Sequence, residues 1–242
     1  MFVTTDKDHP IRNWTEHQRE VFSVDWNNIQ KELFMSCSWD GNVKIVRVYT
    51  DQWHPERPAS IQTLPPHGAC VYKAAWSPHD PTVLATACGD GNMRLFDTRI
   101  PAARPVATMG VGGEVLSLDW NKYRRMTLAS GSSDRTVKTW DIRAQPAPAQ
   151  SVLTGHTYAV RCVTWSAHQS NILATAGYDM TARIWNVDDA MPQGMTSVLS
   201  APRFVYTGHT EFVIGLAWSL FEPGMIASTS WDMSTHLWPA LP

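Results

Sequence analysis

A histidine, a hydroxyl residue and an aspartate recur along this chain at fixed separations. His156, Thr175 and Asp179 make one such set, and His209, Ser228 and Asp232 make another. The combination is that of a nucleophile with its general base and an orienting carboxylate, which is the chemistry of acyl transfer. The chain also holds nine histidines, which raises the question of a zinc site.

Recurrence argues against both chemistries. The repeat can be aligned on Asp40, Asp90, Asp134, Asp179 and Asp232. Fourteen residues before each aspartate stands a tryptophan: Trp26, Trp76, Trp120, Trp165 and Trp218. Four before it is a hydroxyl residue, Ser36, Thr86, Ser130, Thr175 or Ser228, and six after it come Val46, Phe96, Trp140, Trp185 and Trp238. His17, His67, His156 and His209 lie twenty-three residues before, with Val111 as the one break. An enzyme needs one nucleophile and not five equivalents, and the histidines lack paired metal-ligand spacing. The sequence therefore predicts no catalytic residue, no metal site and no cofactor.

The elements that carry these residues read as strands. Val21–Trp26, Leu33–Cys37 and Val43–Ile45 are short β-branched or aromatic runs, separated by turn residues such as Asp40, Gly41 and Asn42. Val71–Trp76, Val83–Ala87 and Met93–Phe96 repeat the pattern, as do the three later units. A fourth strand per unit is expected at Ser60–Leu64, Pro105–Met109, Ala149–Leu153 and Arg203–Tyr206. The proline-bearing stretches Asp51–Pro58, Ala144–Gln150 and Asp188–Pro202 are expected as linkers. No helical periodicity of useful length is present.

Composition narrows the class further. The 242 residues carry 20 Lys+Arg against 22 Asp+Glu, a net charge of −2, which argues against a nucleic-acid binder that relies on bulk positive charge. No apolar stretch is long enough for a membrane-spanning helix. Asp6, Lys7 and Asp8 stand where a secretory leader needs an apolar run. Cys37, Cys70, Cys88 and Cys162 form no C-x-x-C pair and are expected to be buried thiols of a reducing compartment.

Four-stranded units of this period, with Gly155-His156 and Gly208-His209 as openings and Trp140-Asp141 at a strand end, resemble the WD-repeat β-propeller. The resemblance implies an all-β propeller with five four-stranded blade units. Residues 1–16 are expected as the tail of a preceding blade, and the units at about 17–66, 67–110, 111–155, 156–208 and 209–242. It also implies that His156, Thr175, Asp179 and Trp185, and likewise His209, Ser228, Asp232 and Trp238, form a hydrogen-bonded tetrad inside a blade. The first and third units lack part of that set, at Val46 and Val111. Because the family's usual count is seven blades, the expectation is an incomplete seven-bladed propeller. The alternative is a closed five-bladed ring in which Pro10–Trp14 supplies the last blade's missing strand beside Trp238. The first-strand tryptophans are expected to pack between blades.

Stretches outside the general repeat pattern are similar to the family of peroxisomal import receptors for the N-terminal nonapeptide signal. They are Glu20 to Trp26, Gly155 to Arg161, His209 to Phe212, Asn121 to Tyr123 and Ser230 to Asp232. This resemblance implies a cytosolic receptor for peroxisomal matrix cargo that cycles to the peroxisome with a co-receptor and docking proteins. It implies neither direct membrane insertion nor nucleic-acid binding. The family's signal is an amphipathic helix with an arginine and an aliphatic stripe, so its receptor needs carboxylates and exposed apolar groups. In a WD-repeat blade, the turn with the tetrad aspartate and the start of the first strand share the top face. The residues expected there are Glu20, Glu114 and Glu211, together with Trp39, Tyr158, Tyr178, Phe212 and Trp231. An alternative function attaches to Phe96-Asp97-Thr98-Arg99 and Trp140-Asp141-Ile142-Arg143, which resemble segments that dock propellers onto a cullin-type ubiquitin ligase adaptor. A generic assembly scaffold is the third possibility.

Overall fold

Runs such as Val71–Trp76 and Val83–Cys88 combine β-branched and aromatic residues with small ones and are buried over most of their length, which suits a pleated strand covered on both faces. The computed structural model describes residues 14–48, 60–100, 104–143, 148–193 and 196–240. Blade 1 holds β1 (Val21–Trp26), β2 (Leu33–Ser38), β3 (Val43–Arg47) and β4 (Gln62–Thr63). Blade 2 holds β5 (Val71–Trp76), β6 (Val83–Cys88), β7 (Asn92–Asp97) and β8 (Ala107–Gly110). Blade 3 is built on β9 (Val115–Trp120), β10 (Thr127–Ser132), β11 (Thr136–Asp141) and β12 (Ser151–Thr154). Next come β13 (Val160–Trp165), β14 (Ile172–Gly177) and β15 (Ala182–Asn186), then a 3-10 turn over Val187–Asp189 and a hairpin of β16 (Met191–Gln193) and β17 (Thr196–Leu199). The strand β18 (Phe204–Tyr206) returns to complete blade 4, and β19 (Val213–Trp218), β20 (Met225–Ser230) and β21 (Thr235–Pro239) form blade 5.

Each blade is an antiparallel meander, so the arrangement is a five-blade WD-repeat propeller. The four expected outer strands are present at β4, β8, β12 and β18. The expected linkers need one correction. The stretch Asp188–Pro202 is not simply a linker, because β17 runs parallel to β12 and carries β16 with it, making blade 3 a six-stranded sheet. Strands of three and four residues, one of them containing Pro192, leave no periodic trace, and β17 pairs with a segment more than forty residues away. Most of the segment expected to close a five-bladed ring, and most of the expected tail of a preceding blade over residues 1–16, lie outside the described residues. Trp14 sets its ring edge-on to Phe34 of blade 1 at 5.2 Å, whereas Trp238 stacks on Tyr206 at 4.5 Å. No described strand pairs with the free side of β21.

The cores lie between blades. Met35, Val43 and Ile45 of blade 1 meet Val71, Trp76 and Phe96 of blade 2. The same relation repeats three times, from Met93 and Leu95 to Trp120 and Trp140, from Val137 and Leu153 to Trp165 and Trp185, and from Ala176 and Ile184 to Trp218 and Trp238. Trp76, Trp120, Trp165 and Trp218 are thus inter-blade wedges. Burying each removes on the order of 200 Å² from water, about 5 kcal/mol at ~25 cal/mol per Å². Trp26 departs from the expectation and is 47% exposed. It lies on the side of blade 1 that no described blade covers, and its indole N–H donates to the Lys31 carbonyl within its own loop, at 2.8 Å.

Two hydrogen-bonded staples alternate around the arc. Asp25 accepts the Trp76 amide at 2.8 Å, and Asp119 accepts the Trp165 amide at 2.7 Å. Blades 2 and 4 have Ala75 and Thr164 at that position, and there the carbonyl accepts the next blade's indole N–H instead, from Trp120 at 3.0 Å and Trp218 at 3.2 Å.

Candidate functional site

The hydroxyl–histidine–aspartate sets come first, because their geometry decides whether they are chemical or structural. Thr175 accepts the Trp185 indole N–H at 2.8 Å, so its own proton points to His156 Nε2 at 2.7 Å. His156 Nδ1 then donates to Asp179 at 2.8 Å. Ser228, His209, Asp232 and Trp238 repeat this at 3.0, 2.8 and 2.7 Å. Thr175 and Ser228 are fully buried, so no substrate carbonyl reaches either hydroxyl. Burial alone would raise the Asp179 carboxyl, but donors from His156, Thr181 and the Thr157 amide outweigh it and hold it at about 2. The first unit keeps His17, Ser36 and Asp40 but has Val46 in place of the indole. In the third, Trp140 still donates to Ser130, and Lys138 replaces the histidine as the partner of Asp134.

These buried sets brace the turns that reach the top face. The residue after each turn aspartate adopts a left-handed conformation, with φ of 80° at Gly41, 83° at Gly91, 71° at Arg135, 64° at Met180 and 66° at Met233. The residue before it is tied to the start of the first strand. Trp39 N–H donates to the Glu20 carbonyl at 3.1 Å, Tyr178 to Ala159 at 3.0 Å, and Trp231 to Phe212 at 3.1 Å. Turn and strand start therefore share one end of every blade.

The eight expected residues fall into two clusters and three isolated positions. Tyr178, Phe212 and Trp231 form an aromatic cluster across blades 4 and 5, with ring centroids 4.8, 5.3 and 6.4 Å apart. Trp231 remains 59% exposed. Trp39 stacks on Phe22 at 5.4 Å, Phe22 meets Tyr72 edge-on at 5.6 Å, and the Tyr72 hydroxyl donates to Glu114 at 3.3 Å, so Trp39 and Glu114 belong to one chain of contacts across blades 1 to 3. Glu20, Glu211 and Tyr158 are exposed and make no side-chain hydrogen bond or ion pair among the described residues.

Sequence reasoning missed the residues between the clusters. Every first strand holds one extra residue against its partner, as the register shifts around Phe22, Tyr72, Leu116, Arg161 and Ile214 show. Such a bulge re-aims a side chain. Each of these residues stands four before its first-strand tryptophan, so a fixed offset could have singled them out. Phe22, Tyr72, Arg161 and Ile214 line a central cavity of about 280 Å³ around which the five first strands gather.

At the opposite end, Arg99 and Arg143 are 65% and 73% exposed on consecutive blades, and each pairs with its own Asp97 or Asp141. All four cysteines are free thiols; Cys37 and Cys88 are buried, Cys70 and Cys162 half-buried. Among the described residues no helix is long and apolar enough to cross a membrane, and no group of three or more His, Cys, Asp or Glu is placed to hold a metal ion.

The WD domain, G-beta repeat model matches residues 8–46, 58–97, 104–141, 148–186 and 200–239. The chain is 36% identical to the peroxisomal targeting signal 2 receptor of Saccharomyces cerevisiae, in an alignment that covers 100% of this chain and 77% of that one. Identity to the receptor of the same name from Mus musculus is 35%, over 95% of this chain and 67% of that one. The Saccharomyces cerevisiae histone-binding protein MSI1 is 25% identical, over 90% of this chain and half of that one.

Proposed function

The chain belongs to the WD-repeat family of the peroxisomal targeting signal 2 receptors, and we propose from this that it is a non-enzymatic receptor which holds an amphipathic targeting helix on its top face. One observation carries the site assignment: the Tyr178–Phe212–Trp231 cluster, half-buried at Tyr178 and Phe212 and exposed at Trp231, shares its end of the blades with the exposed carboxylates Glu20, Glu114 and Glu211. The aromatic faces suit an aliphatic stripe, and the carboxylates suit the arginine of the helix. The partners are peroxisomal matrix proteins with an N-terminal nonapeptide signal, a co-receptor and docking proteins. The receptor works from the cytosol and cycles to the peroxisome.

Binding of a fluorescent helix bearing the nonapeptide signal tests the proposal. Glu20→Arg and Glu211→Arg are expected to weaken binding at least about tenfold, since each sets a like charge against the helix arginine. Circular dichroism and melting should stay as in the parent chain. Unchanged affinity in both variants removes the acidic rim from the site. The paired Asp97–Arg99 and Asp141–Arg143 units, presented alike on neighbouring blades, favour the ligase-adaptor alternative, which co-purification of such an adaptor in place of matrix enzymes would support.

A further inference from the structure

The collar of bulged residues at the channel mouth contains one cation. Arg161 sets its Cζ 4.9 Å from the centre of the Phe22 ring, and its Nη1 donates to the Leu116 carbonyl at 3.4 Å. No carboxylate among the described residues lies within ion-pairing distance of it. The acidic groups of the region are engaged elsewhere. Asp119 accepts the Trp165 amide and pairs with Lys122, Asp25 accepts the Trp76 amide, and Glu114 accepts the Tyr72 hydroxyl. A half-buried guanidinium on an aromatic face, with most of its donors unused, is poised for an anion, because its planar fork matches a carboxylate.

The cavity also selects among anions. Phe22, Tyr72 and Ile214 give its mouth an apolar wall, which suits a carbon stem behind the charge. Asp119 and Lys73 both line the cavity deeper in the channel, so the cationic excess is small and a monoanion is favoured over a dianion such as phosphate. The mouth is continuous with the candidate face, through Phe22 to Trp39 and through Tyr72 to Glu114.

We propose that this collar is a carboxylate pocket, in which Arg161 holds an acidic side chain of the polypeptide docked above it while Phe22 and Tyr72 flank the stem. The assignment rests on the receptor function proposed above, since the polypeptide must lie over the channel mouth. It adds an attractive contact of the opposite sign to those of the glutamate rim, which would fix the direction in which a bound helix lies.

A glutamate scan tests it. Helices bearing the signal are made with a single glutamate at successive positions, each beside its glutamine counterpart, and their affinities for the full chain are compared. At one position glutamate should bind about tenfold tighter than glutamine, and Arg161→Gln should bring that ratio to about one while Arg161→Lys restores part of it. A structural role for Arg161 would not move this ratio. The absence of a glutamate preference at every position, or a preference that survives Arg161→Gln, overturns the pocket. If the parent chain binds none of the helices, the receptor function fails, and tryptophan fluorescence titrated with benzoate and with inorganic phosphate decides the pocket by itself. Saturable benzoate binding abolished by Arg161→Gln supports it. No such binding, or a preference for phosphate, overturns it.

Discussion

His67 places Nδ1 3.1 Å from the carbonyl oxygen of Gly41 in the neighbouring blade, and not on the turn aspartate of its own blade. His17, His156 and His209 all use that nitrogen to hold their aspartate. In the second blade Arg94 has taken Asp90 instead, and Phe96 supplies no indole donor. The same sequence position thus braces one blade internally in most units and ties two blades together in this one.

Burial, with the nearby Arg94 charge, pushes the His67 imidazole from its ordinary 6.5 down to about 4. Its folded pKa lies below its unfolded one, so its contribution to stability is complete above about pH 6.5 and is lost as pH falls toward 4. Calorimetric melting should show a falling midpoint through that window. His67→Gln should flatten the fall, and an equally steep fall in the variant would refute the assignment.

The turn aspartates act in a lower window. Hydrogen bonds hold Asp40 and Asp179 at about 2 against the opposing effect of burial. Their contribution is present above about pH 4 and is lost as pH falls through 2. Asp179→Asn should lower neutral-pH stability by about 1–3 kcal/mol and make the acid transition shallower. Urea melts at pH 7 and pH 3 measure both effects.

The staple between blades 1 and 2 rests on one carboxylate. Asp25→Ala leaves the Trp76 amide without its acceptor and should cost about 1–3 kcal/mol, while Asp25→Asn keeps an acceptor oxygen and should cost less. Equal losses in the two variants would mean that the hydrogen bond is not what Asp25 contributes.

Met233 is in a left-handed conformation with its side chain 98% exposed, so it bears backbone strain and has little packing to lose. Gly41 and Gly91 occupy the equivalent turns of blades 1 and 2 without that cost. Met233→Gly should raise stability by about 1 kcal/mol. A lower melting temperature in that variant would contradict the strain argument.

Most of the blade architecture is legible along the chain because it is local. Turn aspartates, hydroxyls and strand aromatics recur at short fixed offsets, and each offset spans one hairpin. The outer strands β4, β8, β12 and β18 could be placed because they follow the third strand of the same blade. The hairpin of β16 and β17 could not, since its partner β12 belongs to the preceding unit. Trp26 has the same residue type and offset as Trp76, yet it is half exposed because no described blade covers its face.

The candidate site divides in the same way. Trp39, Tyr178 and Trp231, beside the turn aspartate, and the strand-start glutamates follow from the repeat alone. The positions of Phe22, Tyr72, Leu116, Arg161 and Ile214 also recur at a fixed offset, but that they form a collar does not follow from it, because a bulge is a property of pairing between two strands and not of either strand's sequence. The amino-acid sequence by itself determined the repeat, the buried tetrads and the end of each blade at which they brace the turns. Only the tertiary structure decided which histidine crosses to a neighbouring blade, which tryptophan has no described blade over it, and that Arg161 stands at the channel mouth with no counter-ion among the described residues. Each of these depends on what a neighbouring blade brings into contact, and residue spacing within one unit carries no record of that.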